Sequence, residues 1–202
     1  MGGTIRLLKN ITGLWLVQEC RRVWGVQGRR YGWEDLNRLS AAAPALASFV
    51  DPDAVEFQSP GDMPSAIREF CRRTGQAVPA DEGAVVRCAL ESVAMRCRQV
   101  LAAVEELTGG TMQVIHVVGG GTRNAQLCQA MADACARPVI AGPIEATALG
   151  NVLVQAMADG AVSGVSQARE VVRASVPLER YEPRATAAWD AAYERFARVR
   201  PP

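Results

Sequence analysis

Apolar residues recur at helical spacing along most of the chain, and this pattern predicts a protein built mainly of helices. Asn10 or Thr12 is expected to cap the first helix, and Gly109 is expected to end the longest one. The predicted helices cover residues 12–24, 33–43, 63–73, 81–108, 123–136, 147–158, 166–174 and 185–199.

Two short β-branched runs, at residues 113–118 and 138–141, interrupt the helical pattern, and each is followed by a loop and a helix. They predict two parallel strands, the first of them buried, with His116 as a hydrogen-bonded core residue. Residues 176–181 are expected to be extended. The fold class is therefore α/β and helix-rich. Because a two-stranded sheet rarely stands alone, we expect further strands to lie outside this chain or to belong to a partner.

Composition indicates an ordinary globular domain without a charged binding surface. The chain has 202 residues, 49% of them apolar, and its 22 basic and 21 acidic side chains are interspersed along the sequence. We therefore expect no nucleic-acid partner and no membrane partner. No run of about 18 apolar residues and no signal-peptide pattern is visible, so the expected location is the cytoplasm.

The cysteines are expected to be structural rather than metal ligands. The chain has six of them but a single histidine, and no pair is spaced as C-x-x-C. This pattern argues against a zinc site. Cys71 and Cys88 are the best candidates for a bonded pair, although two free thiols are favoured.

Three glycines, Gly119, Gly120 and Gly121, follow the first predicted strand and precede a helix. Glycine allows a ligand to approach the backbone closely, and the N–H groups of a helix start favour an anion such as a phosphate. Asn124 offers a donor and an acceptor, either for an adenine edge or for locking the loop. The loop is neither the dinucleotide G-x-G-x-x-G nor a P-loop. A tight turn without a ligand fits the residues equally well.

Two further positions could contribute to a site. Asn10 and Gln18 are expected to lie about two helical turns apart, on the same side of the predicted first helix. Both are uncharged donors that could bond phosphate oxygens. The alternative is that Asn10 is a helix cap and Gln18 a surface residue. Gly150, inside the predicted helix 147–158, indicates a close helix contact that would shape a cleft wall.

Three separated segments, residues 6–22, 116–124 and 137–151, resemble in the same order the FGGY family of carbohydrate kinases, and within it the rhamnulokinase branch. The resemblance implies a two-domain protein with an actin-like ATPase (ribonuclease H-like) fold. Residues 1–202 would be its C-terminal nucleotide-binding domain, with the first strands missing. The N-terminal domain would be absent from the chain.

The resemblance also implies a function and a set of site residues. ATP and Mg²⁺ would be the cofactors, and the full-length parent would convert the ketose L-rhamnulose to rhamnulose 1-phosphate and ADP. The catalytic base and the sugar pocket would lie in the missing half, so the isolated chain is expected to be inactive. The residues expected to bind the nucleotide are Asn10, Gln18, Gly119, Gly120, Gly121 and Asn124.

Three alternatives to this function remain open. The substrate could be another ketose, such as fuculose or xylulose, because the sugar pocket would lie in the missing half. The chain could be a free-standing nucleotide-binding module that works with a separately encoded half. It could also be an inactive remnant or a helical interaction domain, in which the glycine loop is only a turn.

Overall fold

A computed structural model describes residues 7–199, and all eight predicted helices are present within this range. The helices are α1 Trp15–Val26, α2 Trp33–Ala42, α3 Met63–Arg73, α4 Glu82–Thr108, α5 Ala125–Cys135, α6 Ala146–Ala158, α7 Val165–Ser175 and α8 Thr186–Arg198. The strands are β1 Ile115–Val117, β2 Val139–Ala141 and β3 Glu179–Tyr181. Short 3-10 turns occupy Val55–Phe57 and Gly120–Arg123.

The strands form one small sheet in the order β1-β2-β3. β1 and β2 are parallel, with Ile115 opposite Val139, which confirms the predicted arrangement of these two strands. β3 is an additional antiparallel strand within the segment predicted only as extended. Its sequence, Glu-Arg-Tyr, lacks the β-branched run that marked the other two strands, so its pairing with β2 is decided by tertiary contact.

The prediction that the first strand is buried is wrong. Val139 and Ala141 are buried, whereas β1 is only half-buried and His116 is exposed. β1 is less buried than β2 because it lies at an edge of the sheet, whereas β2 lies between two neighbouring strands. His116 is therefore not the core residue that its apolar neighbours indicated.

The core is organised around α4, whose first half is buried against α2 on one side and α5 on the other. Asp81 caps its start by accepting a hydrogen bond from the Ala84 N–H at 2.8 Å. Gly109 ends it in the left-handed conformation (φ 67°), as predicted. Gly83 marks the closest approach to α2, because a Cβ built there would lie 2.4 Å from the Leu39 carbonyl oxygen.

The predicted cap of α1 by Asn10 or Thr12 is wrong. The helix begins at Trp15, and its N-cap residue makes no side-chain hydrogen bond. The Thr12 N–H instead donates to Asp53 Oδ1 at 2.8 Å, and Asp53 also accepts from Arg96 Nε at 2.8 Å. Burial raises the pKa of Asp53, but these two donors outweigh burial and leave the pKa lowered. Because Asn10 lies outside the helix, the argument that it shares a helix face with Gln18 also fails.

The cysteines of the described residues are free thiols, as favoured by the sequence. Cys71 and Cys88 are both buried and share a hydrogen bond between their side chains. This hydrogen bond, together with burial, raises the pKa of Cys88 well above its usual value. The pair is therefore a buried contact between α3 and α4.

Two helices near the C-terminus stand apart from the core. No residue of α6 is buried, and α7 buries only Ala168. Gly150 of α6 has open space around it, since nothing among the described residues lies within 4 Å of a Cβ built there. The predicted close contact at Gly150 is therefore wrong for this part of the chain. None of the helices in residues 7–199 is long and apolar enough to cross a membrane.

Candidate functional site

The glycine loop connects the end of β1 to α5 and leaves its middle residue open. Gly119 adopts φ 83° and ψ −164°, a conformation that side-chain-bearing residues rarely adopt, and its N–H donates to the Pro143 carbonyl at 2.9 Å. A Cβ at Gly120 would meet no atom within 4 Å, whereas one at Gly121 would lie 3.9 Å from Val117 Cγ1. Gly119 is thus needed for the turn, and Gly120 is where a ligand can reach the backbone.

Asn124 locks this loop to two helices. Its Oδ1 accepts from the Leu127 N–H at 2.8 Å and so caps α5, and its Nδ2 donates to Asn37 Oδ1 of α2 at 3.0 Å. The side chain is buried, with an exposed fraction of 8%. The structure confirms the loop-locking interpretation. The adenine contact stays a prediction, and the second amide hydrogen and the second lone pair of Oδ1 are free of these bonds.

A shallow depression of about 400 Å³ lies between α1 and the start of α2. Gln18 opens onto it. The other lining residues of α1 lie three, four and seven positions after Gln18, which places them all on one helix face. The lining residues are Gln18, Arg21, Arg22, Gly25, Arg30, Tyr31 and Trp33.

The lining of this depression is basic, since it contains three arginines and no acidic side chain. Arg21 is held in place, because its Nε donates to the Tyr31 carbonyl at 2.8 Å and its guanidinium carbon lies 5.0 Å from the Trp33 ring centroid. Arg22 is paired with Glu19 at 2.9 Å, which offsets its charge. The remaining positive charge favours an anionic ligand.

The helix α2 brings the depression and the glycine loop together. Trp33 borders the depression, and Asn37, one turn later on the same face, holds Asn124. The two positions are about 6 Å apart along the helix axis. Ser40 Oγ also donates to Gln126 Oε1 of α5 at 2.8 Å, which fixes the other end of α2. α2 therefore links the loop that carries Gly120 to the wall of the depression.

The site residues that were predicted from the sequence fall into two groups in the structure. Gly120 in the glycine loop and Gln18 in the depression are both exposed. Asn10 is exposed and lies ahead of α1, outside both parts of the candidate site. Sequence reasoning missed Arg21 and Trp33. The spacing of Arg21 three residues after Gln18 was the available signal, whereas Trp33 is a 43% exposed aromatic residue at the start of α2.

Replacing Asn124 with alanine should lower the free energy of unfolding by about 1–2 kcal/mol, because it removes a helix cap and a buried hydrogen bond. Replacing it with aspartate keeps the cap but removes the donor to Asn37. Urea unfolding should therefore rank wild type above the aspartate variant and the aspartate variant above alanine. Equal stability of all three proteins would contradict the locking role.

Sequence comparison gives a direct match to a known family. The model of the C-terminal domain of the FGGY family of carbohydrate kinases matches residues 1–158. The chain is 46% identical over 194 residues to a rhamnulokinase from Bacteroides thetaiotaomicron, and 40% identical over 203 residues to a rhamnulokinase from Pectobacterium carotovorum. These matches cover 96% and 99% of this chain but only 39% and 40% of the relatives. The chain thus spans about two-fifths of their length.

Solved structures show the same fold. A gluconate kinase from Lactobacillus acidophilus superimposes with a TM-score of 0.61 over 94% of this chain and 38% of its own, at 13% identity. A xylulose kinase from Rhodospirillum rubrum gives a TM-score of 0.57 over 92% of this chain and 35% of its own, at 23% identity. These likenesses confirm the predicted fold class, a helix-rich α/β C-terminal domain of the actin-like ATPase type. The chain belongs to the FGGY family of carbohydrate kinases, in which it corresponds to the C-terminal domain.

Proposed function

We propose that this chain is the nucleotide-binding part of a carbohydrate kinase that transfers the γ-phosphoryl group of ATP to L-rhamnulose. The observation that carries the proposal is the open backbone at Gly120, in a loop that α2 links to a basic depression. The rhamnulokinase relatives supply the substrate class. The product would be rhamnulose 1-phosphate.

Each part of the surface has a role in this proposal. Gly120 admits the adenosine to the loop backbone, and Asn124 keeps that loop in position. Gln18 donates to phosphate oxygens, and the neighbouring Arg21 adds positive charge that is already oriented by its bonds. Asn10 would join the phosphate contacts if the residues around it close on the ligand. Phosphoryl transfer depends mainly on such positioning and charge stabilisation.

Mg²⁺ would enter this site with the nucleotide rather than through a protein cage. Among the described residues, no group of three His, Cys, Asp or Glu side chains is placed to hold a metal ion. The residues present therefore do not fit a resident metal, and the ion would be carried by the ATP phosphates. The catalytic base and the sugar pocket would come from the part of the kinase that this chain does not contain.

Binding of ATP to the 202-residue chain tests the site directly. Replacing Gly120 with aspartate should weaken ATP binding by about tenfold or more, or ~1.4 kcal/mol, because the side chain fills the open space and its charge repels phosphate. Titration calorimetry would measure the change.

Gly164→Asp is the matched control, because a Cβ there also meets nothing within 4 Å and the residue lies ahead of α7. It should bind ATP as the wild type does. If the wild type and Gly120→Asp bind ATP equally, or if the wild type does not bind it, the glycine loop is only a turn and the remnant interpretation is favoured.

A kinase assay tests the reaction. The chain alone should release no ADP in response to a sugar, because base and sugar pocket are absent from it. Joined to the unmatched part of the Bacteroides thetaiotaomicron relative, it should release ADP with L-rhamnulose and much less with xylulose or fuculose. If the joined protein prefers one of the other ketoses, the proposed substrate is wrong, but the proposed phosphoryl transfer from ATP to a ketose stands. Sugar-dependent ADP release by the chain alone would contradict the proposed division of roles.

A further inference from the structure

The segment ahead of α1, residues 7–13, carries Asn10 and belongs to no helix or strand of the described structure. We call it the entry segment. It is held to the body of the protein two residues after Asn10, where the Thr12 N–H donates to Asp53 Oδ1 at 2.8 Å. Two residues span at most about 7 Å of backbone, so a tie at Thr12 restricts the positions that Asn10 can reach.

Asp53 is in turn held by the longest helix of the core. Arg96 of α4 donates from Nε to the second carboxylate oxygen, Asp53 Oδ2, at 2.8 Å, and the Arg96 side chain is only 7% exposed. Arg96 Nη1 also donates to Gln99 Oε1 at 2.9 Å, which fixes the direction of the guanidinium group within α4. One carboxylate therefore joins a buried cation of the core to the backbone of the entry segment.

The loop that carries Asp53 is fixed as well. The Asp53 carbonyl accepts from Gln58 Nε2 at 3.1 Å, which closes the loop on itself. Phe57 of the same loop is fully buried, and its carbonyl accepts from Trp15 Nε1 at 3.0 Å. Since Trp15 is the first residue of α1, the loop holds the chain both just before and just after the start of this helix.

We propose that Asp53, oriented by Arg96, is a positioning residue that holds the entry segment so that Asn10 can contact the phosphates of ATP. This inference rests on the proposed function, in which Asn10 joins the phosphate contacts. An exposed side chain outside a helix keeps many orientations, and binding loses affinity when the ligand has to order such a group. The tie from Asp53 lowers this loss in advance, because it restricts the backbone beside Asn10.

Replacing Asp53 with asparagine tests the tie with little change of shape. The amide has one acceptor oxygen for two donors, and the buried charge of Arg96 keeps that oxygen, so the amide nitrogen opposes the Thr12 N–H. ATP binding to the 202-residue chain, measured by titration calorimetry, should weaken by about fivefold, as expected for the loss of one net hydrogen bond.

Thr12→Pro breaks the same tie from the other side and leaves the buried ion pair of Asp53 intact. It removes the donor N–H, and because Thr12 precedes the N-cap of α1, no helical hydrogen bond is lost. It should weaken ATP binding by a similar factor. Asn10→Ala should also weaken it, and neither Asp53→Asn nor Thr12→Pro should add a further loss in that background, because both act through Asn10.

Asp133→Ala is the control for a loss of stability alone. Asp133 is 7% exposed, and its Oδ1 accepts from the Arg184 N–H at 2.6 Å and from Gln129 Nε2 at 3.0 Å. The segment that it holds leads into α8, which carries none of the proposed site residues. Asp133→Ala should therefore lower the urea midpoint but bind ATP as the wild type does.

Four results would overturn the positioning role. They are wild-type ATP binding by Thr12→Pro, wild-type ATP binding by Asn10→Ala, losses from Asp53→Asn and Asn10→Ala that multiply in the double variant, and a loss in Asp133→Ala as large as that in Asp53→Asn. In each of these cases the wild type still binds ATP and Gly120→Asp still weakens it, so the proposed function stands. If the wild type does not bind ATP, the proposed function fails and the positioning role fails with it.

Discussion

Replacing Arg87 with methionine should lower the free energy of unfolding by about 3–4 kcal/mol at pH 7, because it leaves a buried carboxylate without its partner. Arg87 Nε donates to Glu91 Oε1 at 2.8 Å, and the Glu91 side chain is only 5% exposed. A second nitrogen of Arg87 donates to three carbonyls at the end of α2, at distances of 2.8–3.2 Å. Arg87 therefore joins α4 to α2 and neutralises Glu91.

The loss should depend on pH in a defined direction. Burial raises the pKa of Glu91, although Arg87 opposes this effect, so removing Arg87 raises the pKa further. A carboxyl whose folded pKa is above its unfolded value of about 4.3 binds its proton more tightly in the folded state. Stability then rises as the pH falls through the folded pKa. The deficit of Arg87→Met relative to wild type should consequently shrink between pH 7 and pH 5.

Urea unfolding at the two pH values measures both effects. Arg38→Met is the matched control, because the Arg38 side chain is 73% exposed in its pair with Asp35, and it should change stability little at either pH. The double variant Arg87→Met/Glu91→Met should recover part of the loss, since no buried charge remains. If the single variant shows a deficit that grows as the pH falls, the assignment of the unpaired charge to Glu91 is wrong.

Gly83→Ala should destabilise the protein by about 2–3 kcal/mol, because the added methyl group would overlap the backbone of α2. Its Cβ would lie 2.4 Å from the Leu39 oxygen and 2.8 Å from the Leu39 carbonyl carbon. Backbone atoms cannot move away through a rotamer change as a flexible side chain can, so α2 and α4 must separate. Since α2 also holds Asn124 through Asn37, the glycine loop should loosen as the helices part.

Gly25→Ala is the control for this prediction, because both glycines are helical but a Cβ at Gly25 meets nothing within 4 Å. It should be neutral or stabilising by about 0.5–1 kcal/mol, as expected for alanine in a helix. Denaturant midpoints of the two variants give the comparison. Similar midpoints for Gly83→Ala and wild type would mean that α2 and α4 are not in close contact at this point.

The helices could be predicted from the sequence because their signals are local. The apolar spacing of α4 and its Gly109 end lie within one segment, and the structure confirms both. The errors have a common cause in distant contacts. The Thr12 N–H is taken by Asp53, 41 residues away, and β3 is created by pairing with β2 rather than by its own residues.

The candidate site likewise combines features with a local sequence signal and features that depend on contacts between distant residues. The three glycines and the role of Asn124 as a loop lock could be predicted, because a strand, a turn and a helix start follow one another in the sequence. The basic depression could not be predicted as a whole, since it forms only when Trp33 packs against Arg21 across the turn between α1 and α2. The hydrogen bond from Asn124 to Asn37 spans 87 residues, so no local pattern could indicate it.

The uncovered α6 has a consequence for the fate of the protein in a cell. Chaperones and proteases select chains that expose apolar segments, and a chain that remains uncaptured is removed faster than one in a complex. With no buried residue and no charged side chain in α6, this chain carries such a segment in its folded state. Its abundance should then rise when another surface covers α6, because quality control removes a chain with an exposed apolar helix faster.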